Sequence, residues 1–193
     1  MEFNYINGDF FNNPVEVEYK NNKLHLVNRV FKDNVFDKLK EEVKQLSLDS
    51  NNLNKASWQE NLNRHTVDFK DSKLFKSILI EMNSKEFLDR LNETFDFNIK
   101  EIGSVIWLDE EKYHITLHVD NDAVKHSMQI YMGDEEDIKL GTSFAYENED
   151  VFLTLPFRNN FGYIFKNSNK MTHGLLTEVP KNFKRYSLYF YLS

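Results

Sequence analysis

The sequence predicts an α+β fold in which N-terminal helices buttress a double-stranded β-helix of the jelly-roll type. The first observation is the aromatic content of 17 Phe, 9 Tyr and 2 Trp in 193 residues, which favours strands over a helical bundle. The second is a series of short apolar runs separated by charged or glycine-containing turns, which continues to the C-terminus. The third is that helical periodicity is confined to about the first hundred residues. We therefore expect one domain, 1–193, with 1–100 supplying strands and supporting helices and 101–193 forming the cupin-like barrel that carries the site.

Three helices are predicted in the N-terminal half, each from a polar cap followed by an apolar stripe. Asp33 is predicted to cap a helix that extends to about Leu46. Ser72 is predicted to cap a second helix that extends to about Met82. Asn83, which is followed by a glutamate three residues later, resembles a capping box for a third.

The rest of the N-terminal half is predicted from its alternation and its polarity. Residues 15–19 alternate with period two, which predicts a strand that turns back after Asn21. Residues 47–70 are rich in Asn, Ser and Asp, so we expect a long loop anchored by Trp58.

Apolar and aromatic runs dominate the chain from Ile102 onward. Eight of them recur at a spacing typical of a sandwich or jelly roll. They cover residues 102–108, 113–119, 126–132, 142–146, 151–155, 161–165, 173–177 and 184–192.

Composition and charge exclude several classes of function. The net charge of −7 argues against broad nucleic-acid binding and against binding to anionic membranes. The absence of cysteine rules out disulfides and thiolate metal ligands, so any metal must be held by histidines and carboxylates. No apolar run could span a bilayer and no secretory signal is visible, so we expect a cytoplasmic protein. The oligomeric state stays open.

The motif that organises the chain is His118-x-Asp120. On a strand, side chains two residues apart project from the same face, so an imidazole and a carboxylate point into one space. These are two ligands of a facial 2-His-1-carboxylate site, which holds redox-active ferrous iron. His173, which begins a later apolar run, is the best candidate for the third ligand.

Arg185 is the second candidate of functional interest. In the alternating C-terminal run, Arg185, Ser187 and Tyr189 share one face. If that face points inward, the guanidinium is a buried charge that costs several kcal/mol unless an anion meets it. The alternative is an outward-facing arginine paired with an acidic neighbour.

At this point the sequence resembles the Fe(II)/2-oxoglutarate-dependent oxygenases, in particular their prolyl-4-hydroxylase-like branch. The resemblance covers roughly residues 102–192. Two segments are similar to the "Y-L-N" strand and the "G-G/T-x-F/L" segment of that branch, although the first departs from it at Met132-Gly133. The motifs are His118-x-Asp120, Gln129-Ile130-Tyr131-Met132, Leu140-Gly141-Thr142-Ser143-Phe144, His173 and Arg185-x-Ser187.

The resemblance implies an enzyme that uses Fe(II), 2-oxoglutarate and O2, with ascorbate as a candidate accessory reductant. It implies hydroxylation of a peptidyl, prolyl-like side chain or of a small molecule, with release of succinate and CO2. The residues would divide as follows: His118, Asp120 and His173 as metal ligands, Arg185, Ser187, Tyr131 and Gln129 around the co-substrate, and Trp107 and His126 as candidates for lining the pocket.

Two other classes of function remain open on the sequence. One is a non-catalytic jelly-roll domain for binding or structure, in which the histidines and Asp120 are coincidental. The other is a cupin-like metal enzyme, such as an isomerase, that does not use 2-oxoglutarate. Substrate choice is expected to reside in residues 47–70, 121–127 and 133–140.

Overall fold

The chain folds into two antiparallel β-sheets with α-helices against the larger one. The computed structural model describes residues 2–12, 14–56, 63–121 and 124–193. The strands are β1 (Val15–Tyr19), β2 (Asn22–Asn28), β3 (Leu53–Lys55), β4 (Arg64–Val67), β5 (Ile102–Asp109), β6 (Ile115–His118), β7 (His126–Met132), β8 (Ser143–Tyr146), β9 (Leu153–Thr154), β10 (Phe161–Lys166), β11 (Met171–Leu175) and β12 (Arg185–Leu192). The α-helices are α1 (Asp33–Leu48), α2 (Lys73–Met82) and α3 (Lys85–Phe95).

The strand order defines a large and a small sheet. Eight strands run in the order β1-β2-β10-β7-β12-β5-β4-β3, and four run in the order β6-β11-β8-β9. Each of the eight runs predicted in the C-terminal half overlaps one strand, from β5 to β12, so that prediction is confirmed. The jelly-roll class is confirmed as well, but the two sheets are not closed into the expected barrel.

The two faces of the large sheet belong to two different cores. On β7, Met128, Ile130 and Met132 join the cluster formed with the helices. Tyr131, one residue out of step, joins the cluster that lies between the two sheets, with Phe144 of the small sheet. Successive strand residues point to opposite faces, so one alternation builds both layers.

The helices begin close to the predicted positions. Ser72 caps α2 as predicted, with its hydroxyl accepting from the Phe75 N–H at 2.9 Å. The other two caps need correction. Ser84, not Asn83, caps α3, and α1 starts after Lys32, so that Asp33 is its first residue. Asn83 is used elsewhere, since its side chain bonds the backbone of Ile102 at the start of β5.

The expected loop over 47–70 is wrong over residues 53–55 and 64–67, which pair as the two strands of the β3–β4 hairpin. Its two strands are short and polar, which is why their alternation is hard to detect. The hairpin adds β4 to the edge of β5 and so places Arg64 opposite Asp109. Trp58, the expected anchor, lies outside the described residues. Across the described ranges, no helix has the length and apolarity needed to cross a membrane.

Candidate active site

The structure brings His118, Asp120 and His173 together. His118 ends β6 and Asp120 follows it by two residues, while His173 on β11 is the direct cross-strand partner of His118. One ligand atom from each residue lies within 4.8 Å of the other two. The three side chains therefore form a candidate metal site at the end of the small sheet.

Two contacts prepare His118 as a neutral ligand. Its Nδ1 lies 2.9 Å from the Thr116 carbonyl oxygen, which fixes the proton on Nδ1 and leaves the Nε2 lone pair for a metal. Burial lowers the pKa of His118, and the neighbouring His173 lowers it further, so the imidazole is neutral at physiological pH.

Asp120 is held through one of its two oxygens. Its Oδ2 accepts from the Ser127 hydroxyl at 2.8 Å and from the Tyr189 hydroxyl at 2.9 Å. Its Oδ1 faces His173 Nε2 at 3.5 Å. Burial alone would raise the pKa of Asp120, but His173, Ser127 and Tyr189 together hold it well below the ordinary value. The carboxylate is therefore ionised and presents Oδ1 as its ligand atom.

The donor set fits a divalent transition metal. Two imidazole nitrogens and one carboxylate oxygen are the ligands of non-haem Fe(II) sites with open positions. His173 Nδ1 is buried and has no hydrogen-bond partner among the described residues. Its Nε2 faces Asp120, so that nitrogen is the one available for coordination.

A cavity of about 140 Å³ adjoins this cluster. Of the residues that sequence analysis assigned to the pocket, Trp107, Gln129 and Arg185 line it together with the three candidate ligands. The complete wall is Arg64, Trp107, Ile115, His118, Asp120, Gln129, Thr142, His173, Gly174, Leu175, Arg185 and Tyr189.

Arg185 faces inward and is 1% exposed. Its Nε donates to the Leu140 carbonyl oxygen at 2.8 Å, and its Nη1 donates to Asp109 Oδ2 at 2.5 Å. The inward orientation is as predicted. The acidic neighbour of the alternative is present as well, because Asp109, itself fully buried, pairs with this inward-facing guanidinium.

A second arginine, Arg64, binds the same carboxylate. Its Nε and Nη2 donate to the two oxygens of Asp109 at 2.6 and 3.0 Å. Its guanidinium lies over the rings of Tyr113 and Trp107, at 4.2 and 4.9 Å from their centroids. Asp109 is the cross-strand partner of both Arg64 and Arg185, so the three charges form one row across β4, β5 and β12. Sequence analysis missed Arg64 and Asp109.

The remaining predicted co-substrate residues occupy different positions. Tyr131 donates its hydroxyl to Thr142 Oγ1 at 2.7 Å, and Thr142 rather than Tyr131 lines the cavity. Gln129 lines it while its Oε1 accepts from the Tyr163 hydroxyl at 2.6 Å. Ser187 is fully buried, and its hydroxyl has no hydrogen-bond partner among the described residues.

His126 does not line the cavity, which corrects that expectation. It lies three positions before Gln129 on β7. Because this offset is odd, its side chain projects from the opposite face of the strand. There its ring packs on Phe97, with centroids 4.3 Å apart. The same spacing, read from the sequence, was the signal that could have placed it.

The chain was compared with known proteins. No protein-family model matches it, and no curated protein sequence matches it. Solved structures do match. A prolyl-4-hydroxylase from Pseudomonas putida has a TM-score of 0.68 at 12% identity, over 88% of this chain and 91% of that one.

Two further solved structures extend the comparison. A prolyl hydroxylase from Trichoplax adhaerens, in complex with a hypoxia inducible factor oxygen degradation domain peptide fragment, has a TM-score of 0.66 at 10% identity over 88% of this chain and 82% of that one. A 2OG-Fe(II) oxygenase family oxidoreductase from Burkholderia pseudomallei has a TM-score of 0.58 at 13% identity over 88% and 84%.

These structures define the class to which the architecture corresponds. The chain has the fold shared by prolyl-4-hydroxylases and 2OG-Fe(II) oxygenases, and the resemblance that the motifs indicated is confirmed at the level of the fold. Similarity at this level of identity establishes the architecture alone, so function must be argued from the site.

Proposed function

We propose that this protein is an Fe(II)- and 2-oxoglutarate-dependent dioxygenase that hydroxylates its substrate and releases succinate and CO2. The observation that carries the proposal is that one cavity is lined both by a 2-His-1-carboxylate cluster and by inward-facing arginines. The cluster suits ferrous iron, and a guanidinium suits a carboxylate.

The three residues of the cluster share the task of holding the metal. His118, Asp120 and His173 hold the metal, and the hydrogen bonds to Asp120 Oδ2 keep that carboxylate in one orientation. Bound ferrous iron, with 2-oxoglutarate and O2, supplies the oxidising chemistry. The rest of the chain orients the reactants and excludes bulk water from a mostly buried cavity.

The far carboxylate of 2-oxoglutarate is assigned to the arginine row. Two guanidinium groups share one carboxylate, so the row carries a surplus of one positive charge inside the protein. A buried net charge is costly unless an anion meets it. The Ser187 hydroxyl, two residues beyond Arg185 on the same face of β12, has no hydrogen-bond partner among the described residues but is not part of the cavity wall, so its contact with that anion stays a prediction.

The proposed substrate is a peptidyl, prolyl-like side chain or a small molecule. The Trichoplax structure was solved with a peptide fragment, which supports the peptidyl class. A cytoplasmic location belongs to the proposal too, because ferrous iron persists in a reducing compartment and the chain has no cysteine to oxidise. Use of ascorbate stays a prediction.

The proposal is tested by anaerobic titration of the Fe(II)-loaded protein with 2-oxoglutarate. We expect a weak visible metal-to-ligand charge-transfer band in the wild type and a much weaker affinity in Arg185→Ala. Arg158→Met removes an exposed arginine and serves as the matched control. When O2 is then admitted, slow succinate formation without prime substrate should follow and should vanish in His118→Ala. A wild-type protein that binds Fe(II) but develops no band would refute the use of 2-oxoglutarate.

A second candidate is a metal enzyme of this fold that does not use 2-oxoglutarate. One observation favours it, namely that Asp109, a residue of the protein itself, neutralises Arg185 at 2.5 Å. This candidate predicts that Fe(II) binds to the three ligands and that 2-oxoglutarate leaves both the spectrum and the metal affinity unchanged.

A further inference from the structure

The ion pair between Arg185 and Asp109 creates a problem for anion binding. Arg185 is the arginine whose position resembles that of a co-substrate-binding residue, yet its Nη1 is committed to Asp109 at 2.5 Å. Both groups are buried, with side-chain exposures of 2% and 0%. One cation and one anion sum to zero, so this pair alone offers little net attraction to an incoming carboxylate.

Arg64 changes that balance. It binds Asp109 through two nitrogens, so the three groups carry one surplus positive charge. Arg64 is also part of the cavity wall, whereas Asp109 is not. The surplus charge therefore adjoins the space that a ligand would fill.

Arg64 is held in place on several sides. Its guanidinium is stacked on Trp107 and Tyr113, and its side chain is only 11% exposed. A cation that is desolvated and fixed in this way interacts more strongly with an anion than a mobile surface cation does. The arrangement provides a preformed electrostatic contact and does not depend on a side chain that must be ordered on binding.

We propose that Arg64 is a specificity-determining residue that, by offsetting Asp109, makes the cavity select a 2-oxo acid carrying a second carboxylate. The proposal rests on the proposed function and adds a residue to it. Arg185 supplies the hydrogen-bonding position, and Arg64 supplies the net charge.

A purely structural role for Arg64 makes a different prediction. In that case Arg64 only ties β4 to β5, and its removal acts through the fold. The electrostatic role predicts instead that removal of Arg64 weakens selection of the dicarboxylate, and that this selection returns when the Asp109 carboxylate is neutralised as well. Arg64→Met combined with Asp109→Asn leaves Arg185 as a lone cation and restores the surplus of one positive charge.

The experiment is calorimetric titration of Mn(II)-loaded protein, under anaerobic conditions, with two ligands. One is 2-oxoglutarate, and the other is 2-oxopentanoate, the five-carbon 2-oxo acid without the distal carboxylate. The quantity compared is the preference, defined as the ratio of the two affinities. It is measured in wild type, in Arg64→Met, in Arg64→Met/Asp109→Asn and in the exposed-arginine control Arg158→Met.

We expect Arg64→Met to lower the preference by about tenfold or more, which is typical of removing one partner from a buried charge network. The double variant should recover to within about threefold of wild type, and Arg158→Met should leave the preference unchanged. An unchanged preference in Arg64→Met, or a double variant as weak as the single one, would overturn the proposal.

Two other results of this titration also bear on the proposal. If Arg64→Met does not fold, the preference is measured in Asp109→Asn. This variant raises the surplus positive charge, so its preference should equal or exceed the wild-type value. A lower preference overturns the proposal. If wild-type Mn(II) protein binds neither 2-oxo acid, the proposed function fails and takes this inference with it. Failure of the inference alone is recognised by normal wild-type binding.

Discussion

The two faces of β7 and β12 both contain fully buried residues but differ in chemistry. Facing the helices are Ile130, Leu188 and Phe190, all 0% exposed. On the opposite face are Ser187, also 0% exposed, and the cavity-lining Arg185, 1% exposed. The helix-facing side needs only close packing, whereas every polar group on the other side needs a partner.

The difference indicates that the helix-facing side mainly stabilises the fold, whereas the opposite side is arranged for ligand binding. Apolar burial on the helix-facing side stabilises the fold without specificity for a ligand. The opposite side holds the Ser187 hydroxyl, which has no hydrogen-bond partner among the described residues, and the surplus positive charge of the arginine row, and both cost stability unless a ligand completes them. A natural protein maintains such groups where a ligand completes them.

The largest stability effect is expected on the helix-facing side. Phe190→Ala removes a ring that packs near Phe75 of α2, with centroids 6.5 Å apart. We expect a loss of about 3–5 kcal/mol in the free energy of unfolding, while Mn(II) affinity of the folded protein changes by less than about threefold. Urea denaturation and metal titration measure the two quantities. A large loss of metal affinity would mean that the two faces are not independent.

The neighbouring residue on the cavity-facing side should behave in the opposite way. Tyr189→Phe keeps the ring but removes the hydroxyl that donates to Asp120 Oδ2 at 2.9 Å. Because such outer contacts orient the ligand atom, we expect metal affinity to fall by about tenfold. Stability should change by less than about 1 kcal/mol. An unchanged metal affinity would show that the Tyr189 hydroxyl does not support metal binding by Asp120.

The smallest expected effect is a pH dependence of stability that comes from two buried histidines on the helix-facing side. Burial lowers the pKa of both His25 and His126, which pack on the helix-facing side around Phe97. Their neighbours Glu16, Lys23 and Lys166 modify the shift without reversing it. The unfolded chain therefore binds more protons just below the ordinary value of about 6.5, and stability should fall as pH drops through that range.

We expect Tm to decrease by a few degrees between pH 7.5 and pH 5.5, and the decrease to be smaller in His25→Leu/His126→Leu. His118, whose pKa is also lowered by burial, contributes equally to both proteins, and Asp120 does not contribute because its pKa lies well below the ordinary value. Differential scanning calorimetry in metal-free buffer gives the comparison. A Tm that is constant over the window would contradict the burial of two neutral imidazoles.

Sequence reasoning predicted the parts of this molecule that depend on local patterns. The strands from β5 to β12 follow from short apolar and aromatic runs separated by turns. The convergence of His118 and Asp120 was predicted from their spacing of two residues, and it holds although β6 ends at His118. Ser72 was correctly placed as a cap because a hydroxyl precedes an apolar stripe. Asn83 was mistaken for one because Asn and Ser are both good caps and stand side by side.

The part that could not be predicted depends on strand register. Arg64 and Asp109 are 45 residues apart, and Arg185 lies 76 residues beyond Asp109. Only the pairing of β4 with β5 and of β5 with β12 makes them neighbours. The alternation of Arg185 and Ser187 indicated a face but could not indicate which carboxylate that face would meet.

The central claim is that His118, Asp120 and His173 form one metal site. The direct test is anaerobic titration with Fe(II) of wild type, His173→Ala and His126→Ala, the last being a histidine on the helix-facing side. We predict one tight equivalent in the wild type, a loss of about a hundredfold or more in His173→Ala, and no more than about a threefold change in His126→Ala. Wild-type protein that binds no Fe(II), or equal affinities in all three proteins, would contradict the account.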